Sequence, residues 1–401
     1  MKPYLKQLYP LPALSIVLLL ALFVLSKLGV GYPLVDFMSS PVGRFDDYRN
    51  PLIYAPKLFD SHIGVGFTPI QVLIYQVLSQ FPFYLGLFLS SVLPIIAIAL
   101  GISKKIRLNS LPGLLIGLYP VIFCLARGNN DLWVMALLFW FYKSLQANNQ
   151  KFAAIMLALA VAIDPLMSLF GILLMTKNSI KFWIYFFSAE LAFFVVPCVL
   201  NSANPVFEFK NLLGQYSTYR EGMVNGDAGL LFSNSLSGMF KGIYYLNTNL
   251  PITSGYLNLF SLVSNVLGIL LLLFIILRVV FRKSVPIFVN FLSIAAFLVL
   301  FGSASPDYKL IYFLIPLLYS WNELIRNRVI VYTLLALLFL PKHFIWYQFD
   351  FNPVGFTLNS LTNPLLIVFV VVVVAFMPNS SKNEDVGKKW AQTGSNRRPT
   401  D

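Results

Sequence analysis

Residues 151–176 read KFAAIMLALAVAIDPLMSLFGILLMT, and how this stretch is read decides the topology of the whole chain. After Lys151 it is apolar throughout except around Asp164-Pro165 at its middle. Its length is awkward, long for one helix and short for two full spans. Proline pushes the residue before it out of the helical region, so a break falls at Asp164. The same apolarity runs through the rest of the 401 residues, of which 58% are hydrophobic, 16% aromatic and only 11% charged, with a mean hydropathy of +0.76. Soluble domains carry about 25% charged residues, and so few charges cannot cover a water-soluble fold of this size. A hydrocarbon core about 30 Å thick takes about 20 apolar residues per helix, so the chain has room for roughly a dozen spans and no large soluble domain.

Working outward from 151–176, apolar runs predict spans near 8–29, 82–102, 111–126, 131–146, 182–200, 257–279, 285–303, 308–321, 328–342 and 362–377. Charge sets their parity. If 151–176 is a hairpin of two half-spans, one face collects Lys2 and Lys6, Lys104, Lys105 and Arg107, Lys143 and Lys151, and Lys177 and Lys181. Arg278, Arg282 and Lys283, Arg326 and Arg328, and five basic residues of the C-terminal tail join them. That face then holds 19 of the 29 basic residues. A single crossing at 151–176 would send the later clusters to the other side, against the positive-inside rule. The hairpin therefore predicts an all-α polytopic membrane protein of about twelve transmembrane or half-spanning helices, with both termini cytoplasmic. The formal net charge of +13 is then a topological signal and gives no reason to invoke nucleic acid. One membrane domain covers 1–378, and 379–401 reads as a disordered cytoplasmic tail. The basic N-terminus ahead of Leu11–Leu25 lacks a small-x-small cleavage pattern and reads as an anchoring first span. Cys124 and Cys198 lie in apolar runs and read as packing residues.

This parity places three long segments outside, 30–81, 201–256 and 343–361, with short turns at 127–130, around Asp164 and at 303–309. Within the first, Phe67–Gln80 is apolar but too short to span and reads as an interfacial helix. The stretch VDFMSSPVGRFDDYRNPLIYAP (35–56) carries Asp36, Asp46 and Asp47. Carboxylates at a membrane boundary are expensive unless paired or set in a wet cavity. Adjacent aspartates point different ways, which allows a general base and a supporting carboxylate held by Arg44 or Arg49; a solvated, salt-bridged loop explains the same residues. In RGNNDLWV (127–134), Gly and Asn suit a tight turn on their own account, while Arg127 is well suited to a lipid phosphate. Asp164 is either an intramembrane functional acid or an N-cap for the second half-hairpin. Lys309, in SASPDYK, binds phosphate or snorkels to the interface. His62 and His343 are the only histidines, too few for a histidine-rich metal site, and P-loop, dinucleotide and HExxH motifs are absent. No cofactor is implied, although the chemistry would admit a divalent ion bridging an Asp and a phosphate.

Taken together these pieces resemble the GT-C superfamily of polyprenyl-phosphate-sugar-dependent glycosyltransferases, and most closely the mannosyltransferase-like glycosyltransferase family 87, over roughly residues 10–320. Asp46-Asp47 looks like the family's acidic pair in the first external loop. Asp36-Phe37, with PLIY at 51–54 and FTPIQVL at 67–73, looks like its Asp-aromatic, Leu-Tyr and Tyr-x-Pro sequence. RGNNDLWVMALLFW resembles a turn usually reading Gly-Gln-x-Asn, KFAAIMLALAVAIDP an alanine-rich helix ending in Lys-Pro, SNSLSG (233–238) an Asn-Gln-Ser-Leu motif, and SASPDYKLIYFLIPLL a Ser-Pro motif before a late helix. Three departures stand out: Asp164 replaces the Lys before Pro, Asn129 replaces Gln, and Asp307-Tyr308-Lys309 replaces an aromatic-His element.

The resemblance implies a GT-C-like bundle in the plasma (inner) membrane with an extracytoplasmic active site. It implies inverting transfer of a mannose-like hexose from a polyprenyl-phosphate donor to a lipid-linked or cell-envelope glycan acceptor. Asp47 is the first candidate base and Asp36 the second, with Asp46 beside them. Arg127 and Lys309 would stabilise the departing phosphate, and Asn129, Asn130, Asp164 and Asn234 would bind substrate. Two alternatives remain: a lipid-linked glycan transporter or flippase, which should show related halves, and an envelope polysaccharide polymerase or ligase.

Overall fold

The computed structural model describes residues 45–54, 67–102, 118–175, 180–220, 233–248, 252–282, 285–302, 305–316, 328–340, 346–349 and 352–375, with five helical positions between 16 and 24. Asp36, Arg44, most of the first expected span and the C-terminal tail lie outside the described residues.

Short α1 (Asp46–Tyr54) is followed by α2 (Pro69–Leu78), the expected interfacial segment. Thr68 opens α2 with a capping box: its backbone N–H donates to Gln71 Oε1 at 2.9 Å, its hydroxyl accepts from the Gln71 N–H, and Pro69 supplies a first turn that needs no donor. Then come α3 (Phe83–Gly101), α4 (Tyr119–Arg127), α5 (Asp131–Gln146) and α6 (Gln150–Ile163). The Asn149 side chain caps α6 by accepting from the Phe152 N–H. Small residues, Ala153, Ala154, Ala158 and Ala160, are wholly buried along α6, which lets it approach its neighbours closely.

The helix breaks at Asp164 and resumes as a 3-10 helix, η1 (Pro165–Leu174). A Cβ built on Gly171 would lie 4.0 Å from Leu157 Cδ2. These two residues stand seven positions on either side of Asp164. Continued in one line they would be about 24 Å apart at helical rises, so η1 folds back along α6. The stretch is the hairpin that its sequence predicts.

The chain continues through α7 (Ile180–Leu200), α8 (Pro205–Arg220), α9 (Leu236–Thr248), α10 (Ser254–Phe281), α11 (Ile287–Phe301), a second 3-10 helix η2 (Asp307–Phe313) and α12 (Arg328–Phe339). A two-stranded antiparallel ribbon, β1 (Trp346–Phe349) with β2 (Asn352–Thr357), leads into α13 (Leu358–Ala375). This ribbon is the departure, among the described residues, from the all-α expectation.

The core lies where α5, α6, η1, α11 and η2 meet. The Phe291 ring lies tilted 4.4 Å from Phe170 and edge-on 5.2 Å from Tyr142, ring centre to ring centre. Helix α11 is buried nearly all round, from Phe288 to Leu300, as a helix apolar on every side should be when other helices surround it. At the periphery α3, α7 and α10 are the opposite case. They are long and apolar enough to cross a membrane, and only 33%, 17% and 17% of their most apolar stretches are buried within the protein. Large side chains such as Leu100 and Phe281 stand about three-quarters exposed, which water would not tolerate and lipid does. Of the roughly twelve crossings expected, these three meet the criterion of length and composition among the described residues. The others are shorter. The run 131–146 forms a 16-residue helix, and 308–321 begins as a 3-10 helix. Helices enclosed by protein need not match the bilayer thickness, so shorter helices are at home in the interior of such a bundle.

Candidate active site

The site is built from chain turns. Phe45 opens it with φ of 60°, a left-handed conformation that costs a non-glycine residue about 1–2 kcal/mol. Its N–H donates to the Ala126 carbonyl at 3.0 Å, and its carbonyl starts α1 by accepting from Arg49 N–H at 2.7 Å. The start of α1 is thereby tied to the end of α4. Asp46 and Asp47 fall in the first turn of α1, where exposed helix N–H groups favour negative charge. Tyr48 turns inward, fully buried between Tyr75 and Phe83. Arg49 lies over the Phe83 ring, so it is not the partner of the acidic pair.

That partner is Arg127, the last residue of α4. Its Nη2 donates to Asp47 Oδ1 at 2.5 Å, and its Nη1 stands 3.9 Å from Asp46 Oδ2. Burial alone would depress the guanidinium, but the hydrogen bond and charge of Asp47 hold it above its usual value. Asn129 Nδ2 donates to Asp47 Oδ2 at 2.8 Å, while Asn129 Oδ1 accepts from the Asp131 N–H at 2.8 Å. The Asn130 side chain lies beside the Tyr75 hydroxyl, and that hydroxyl donates to the Asp47 carbonyl. Gly128 makes the turn possible. It closes α4 at φ of 65°, and a Cβ there would lie 2.6 Å from Tyr48 Cβ.

A second charged pair stands at the hairpin tip, where Lys309 Nζ lies 3.7 Å from Asp164 Oδ2. Asp164 also performs its capping role, accepting from the Leu166 N–H at 3.1 Å. Asp131 is buried at the start of α5, accepts a hydrogen bond from Tyr312, and is within electrostatic reach of Lys309, Asp164 and Asp47. Tyr308 stacks on Phe123 at 5.9 Å, ring centre to ring centre. Tyr119, Phe123 and Arg127, each four residues apart, form the stripe of α4 against which η2 lies.

Beneath this lies a buried polar node. Asp307 accepts from Tyr119 Oη at 2.9 Å, Asn234 Nδ2 at 2.9 Å and Asn359 Nδ2 at 2.8 Å. Asn234 also donates to the Ser305 carbonyl and accepts from Asn363 Nδ2 at 2.8 Å.

The structure thus brings Asp46, Asp47, Arg127, Asn129 and Asn130 into one cluster, with the Asp164–Lys309 pair within electrostatic reach of Asp131. Asn234 stands apart, fully buried in the supporting node. Asp131 and Asp307 were not singled out as site residues from sequence. The only signal was a carboxylate opening each of two apolar stretches, together with Asn359 and Asn363 four apart on one face of apolar α13.

Among known proteins, the family model of glycosyltransferase family 87 matches residues 67–304, from just before α2 to just short of Ser305. No curated protein and no solved structure matches. The matched region contains Arg127, Asn129, Asn130, Asp164 and Asn234, and is flanked by the aspartate pair on one side and Lys309 on the other.

Proposed function

The chain belongs to glycosyltransferase family 87, a family of GT-C fold, and is a membrane glycosyltransferase; from that premise we propose that it transfers a mannose-like hexose from a polyprenyl-phosphate donor to a lipid-linked or envelope glycan. The reaction faces the extracytoplasmic side of the plasma membrane, with both termini cytoplasmic. The transporter alternative gives way to the family's chemistry. A polymerase or ligase would differ in acceptor while needing the same base and the same cations.

One observation carries the reading: an acidic pair at a helix N-terminus meeting an arginine, with a lysine–aspartate pair at the hairpin tip. The acceptor hydroxyl attacks the anomeric carbon as the bond to the phosphate oxygen breaks. The polyprenyl phosphate leaves, and the hydroxyl proton passes to a carboxylate, giving inversion. Read from sequence, that carboxylate is Asp47, with Asp36 second. The bonding favours Asp46. Both Asp47 oxygens already accept hydrogen bonds, which suits a supporting group, whereas Asp46 meets Arg127 only across 3.9 Å. Arg127 and Lys309 take up the charge developing on the leaving phosphate. Asn129, Asn130 and Asp164 border the same space and meet sugar hydroxyls.

The test is transfer of radiolabelled hexose from polyprenyl-phosphate donors in proteoliposomes. Asp46→Asn is expected to lower the rate at least about 100-fold, the usual contribution of a general base, and Asp47→Asn to lower it less. Full activity in both variants sinks the assignment and returns attention to Asp36.

A further inference from the structure

Peripheral span α10 ends on a charge for which no counter-ion stands among the described residues. Arg278 stands in its last turn and is only 5% exposed. Its Nε donates to Asn290 Oδ1 at 3.0 Å, and its Nη2 donates to Ser293 Oγ at 2.6 Å and to the Val289 carbonyl at 3.4 Å. All three acceptors are neutral and belong to α11. The remaining nitrogen, Nη1, is buried with no hydrogen-bond partner, and among the described residues no carboxylate pairs with this arginine. One turn on, Arg282 is exposed, and its positive charge acts on Arg278. The face of the guanidinium is covered by Phe274, 5.3 Å from ring centre to Cζ, and that ring is itself 47% exposed on the outer surface of α10.

A buried guanidinium satisfied only by neutral groups and set beside a like charge is expensive to maintain. An anion that meets both arginines removes that cost. At the end of a membrane span, the abundant anion is a lipid phosphate, and basic pockets between transmembrane helices are suited to headgroups. We propose that Arg278 and Arg282 form a binding site for the phosphodiester of an anionic phospholipid headgroup, at the end of α10 where it meets α11. Arg282 makes the first contact from the exposed side. The half-exposed Phe274 ring over the guanidinium is the side chain that has to shift for a phosphate to meet Arg278, and the planar guanidinium matches two phosphate oxygens. A zwitterionic headgroup carries its own ammonium beside the phosphate and competes with the arginines for it, so net negative lipids are preferred.

This site is separate from the candidate active site. Arg278 bonds the N-terminal half of α11, whereas Ser305–Lys309 follow its C-terminal end. From Asn290 to Phe301 the helix rises about 16 Å between them. The proposal therefore stands whether or not the aspartate pair does the chemistry assigned to it, and its test does not require turnover.

The test is native mass spectrometry of the full chain, delipidated in detergent and given back phosphatidylglycerol or phosphatidylcholine in equal amount. Wild type is expected to retain one phosphatidylglycerol at collision energies that strip phosphatidylcholine. Arg278→Gln should weaken that retention about fivefold, in line with loss of one basic contact near the surface. Arg282→Gln, at an exposed position where folding is undisturbed, should weaken it in the same direction. Equal retention of the two lipids by wild type, or unchanged phosphatidylglycerol retention in Arg282→Gln and in folded Arg278→Gln, overturns the proposal. Displacement of the lipid by millimolar inorganic phosphate assigns the site to a free anion and overturns the lipid as its occupant.

Discussion

At Gly128 two separate demands fall on one residue. Its φ of 65° is left-handed, and Tyr48 Cβ occupies the space a side chain would need. Gly128→Ala is expected to lose about 1–3 kcal/mol through backbone strain. It would also push α1 away from α4, so thermal melting in detergent should drop and transfer should fall with it. Asp164 separates two roles in the same way. Asn keeps the cap on η1 but not the charge facing Lys309, while Ala loses both. Asp164→Asn should melt near wild type with reduced transfer, and Asp164→Ala should lose about 1 kcal/mol more stability. Equal activity of Asp164→Asn and wild type would leave the residue with capping alone. Both positions are readable from sequence, because a turn glycine and an Asp-Pro pair act on their own neighbours.

Element by element, legibility falls as the partners move apart along the chain. The hairpin at 151–176 could be read from a local break and a global charge count, and α2 from an apolar run too short to span. The aspartate pair was legible as an acidic pair, but its holder was not. Arg44 and Arg49 were the near choices, whereas Arg127 lies 80 residues away and reaches Asp47 only because Phe45 is tied to Ala126. Asp307 is the extreme case. Its donors come from α4, the entry to α9 and α13, with Tyr119 separated from it by 188 residues. Nothing in the spacing of SASPDYK announces them. This carboxylate sets η2 in register against the Tyr119–Phe123–Arg127 stripe, and so fixes where Lys309 stands. Asp307→Asn keeps the shape but turns one acceptor into a donor facing other donors. A loss of about 1–3 kcal/mol is expected, read as a lower melting temperature. Asp307→Glu, with the acceptors retained on a longer arm, should hold more stability than the Asn variant yet lose transfer by displacing Lys309.

For the whole molecule, the question is which side each turn faces. The fold-back of η1 along α6 means that the chain enters and leaves this hairpin at the same end, so α7 then carries it across. The turn after α5 and the helix α8 should therefore lie on opposite sides of the membrane. Had 151–176 crossed once, they would share a side, and the charge distribution would break the positive-inside rule. Ala147 and Lys210 are both exposed and mark these two places. The native Cys124 and Cys198 are buried, so background labelling is low. In intact cells, a membrane-impermeant maleimide should label Lys210→Cys, and should label Ala147→Cys only after the membrane is opened. Labelling of both from one side would mean that α6 and η1 form a single crossing. The aspartate pair, Arg127 and the Asp164 tip would then no longer share an external face by the charge argument, and the extracytoplasmic reaction would lose its basis even though the site's bonding is unchanged.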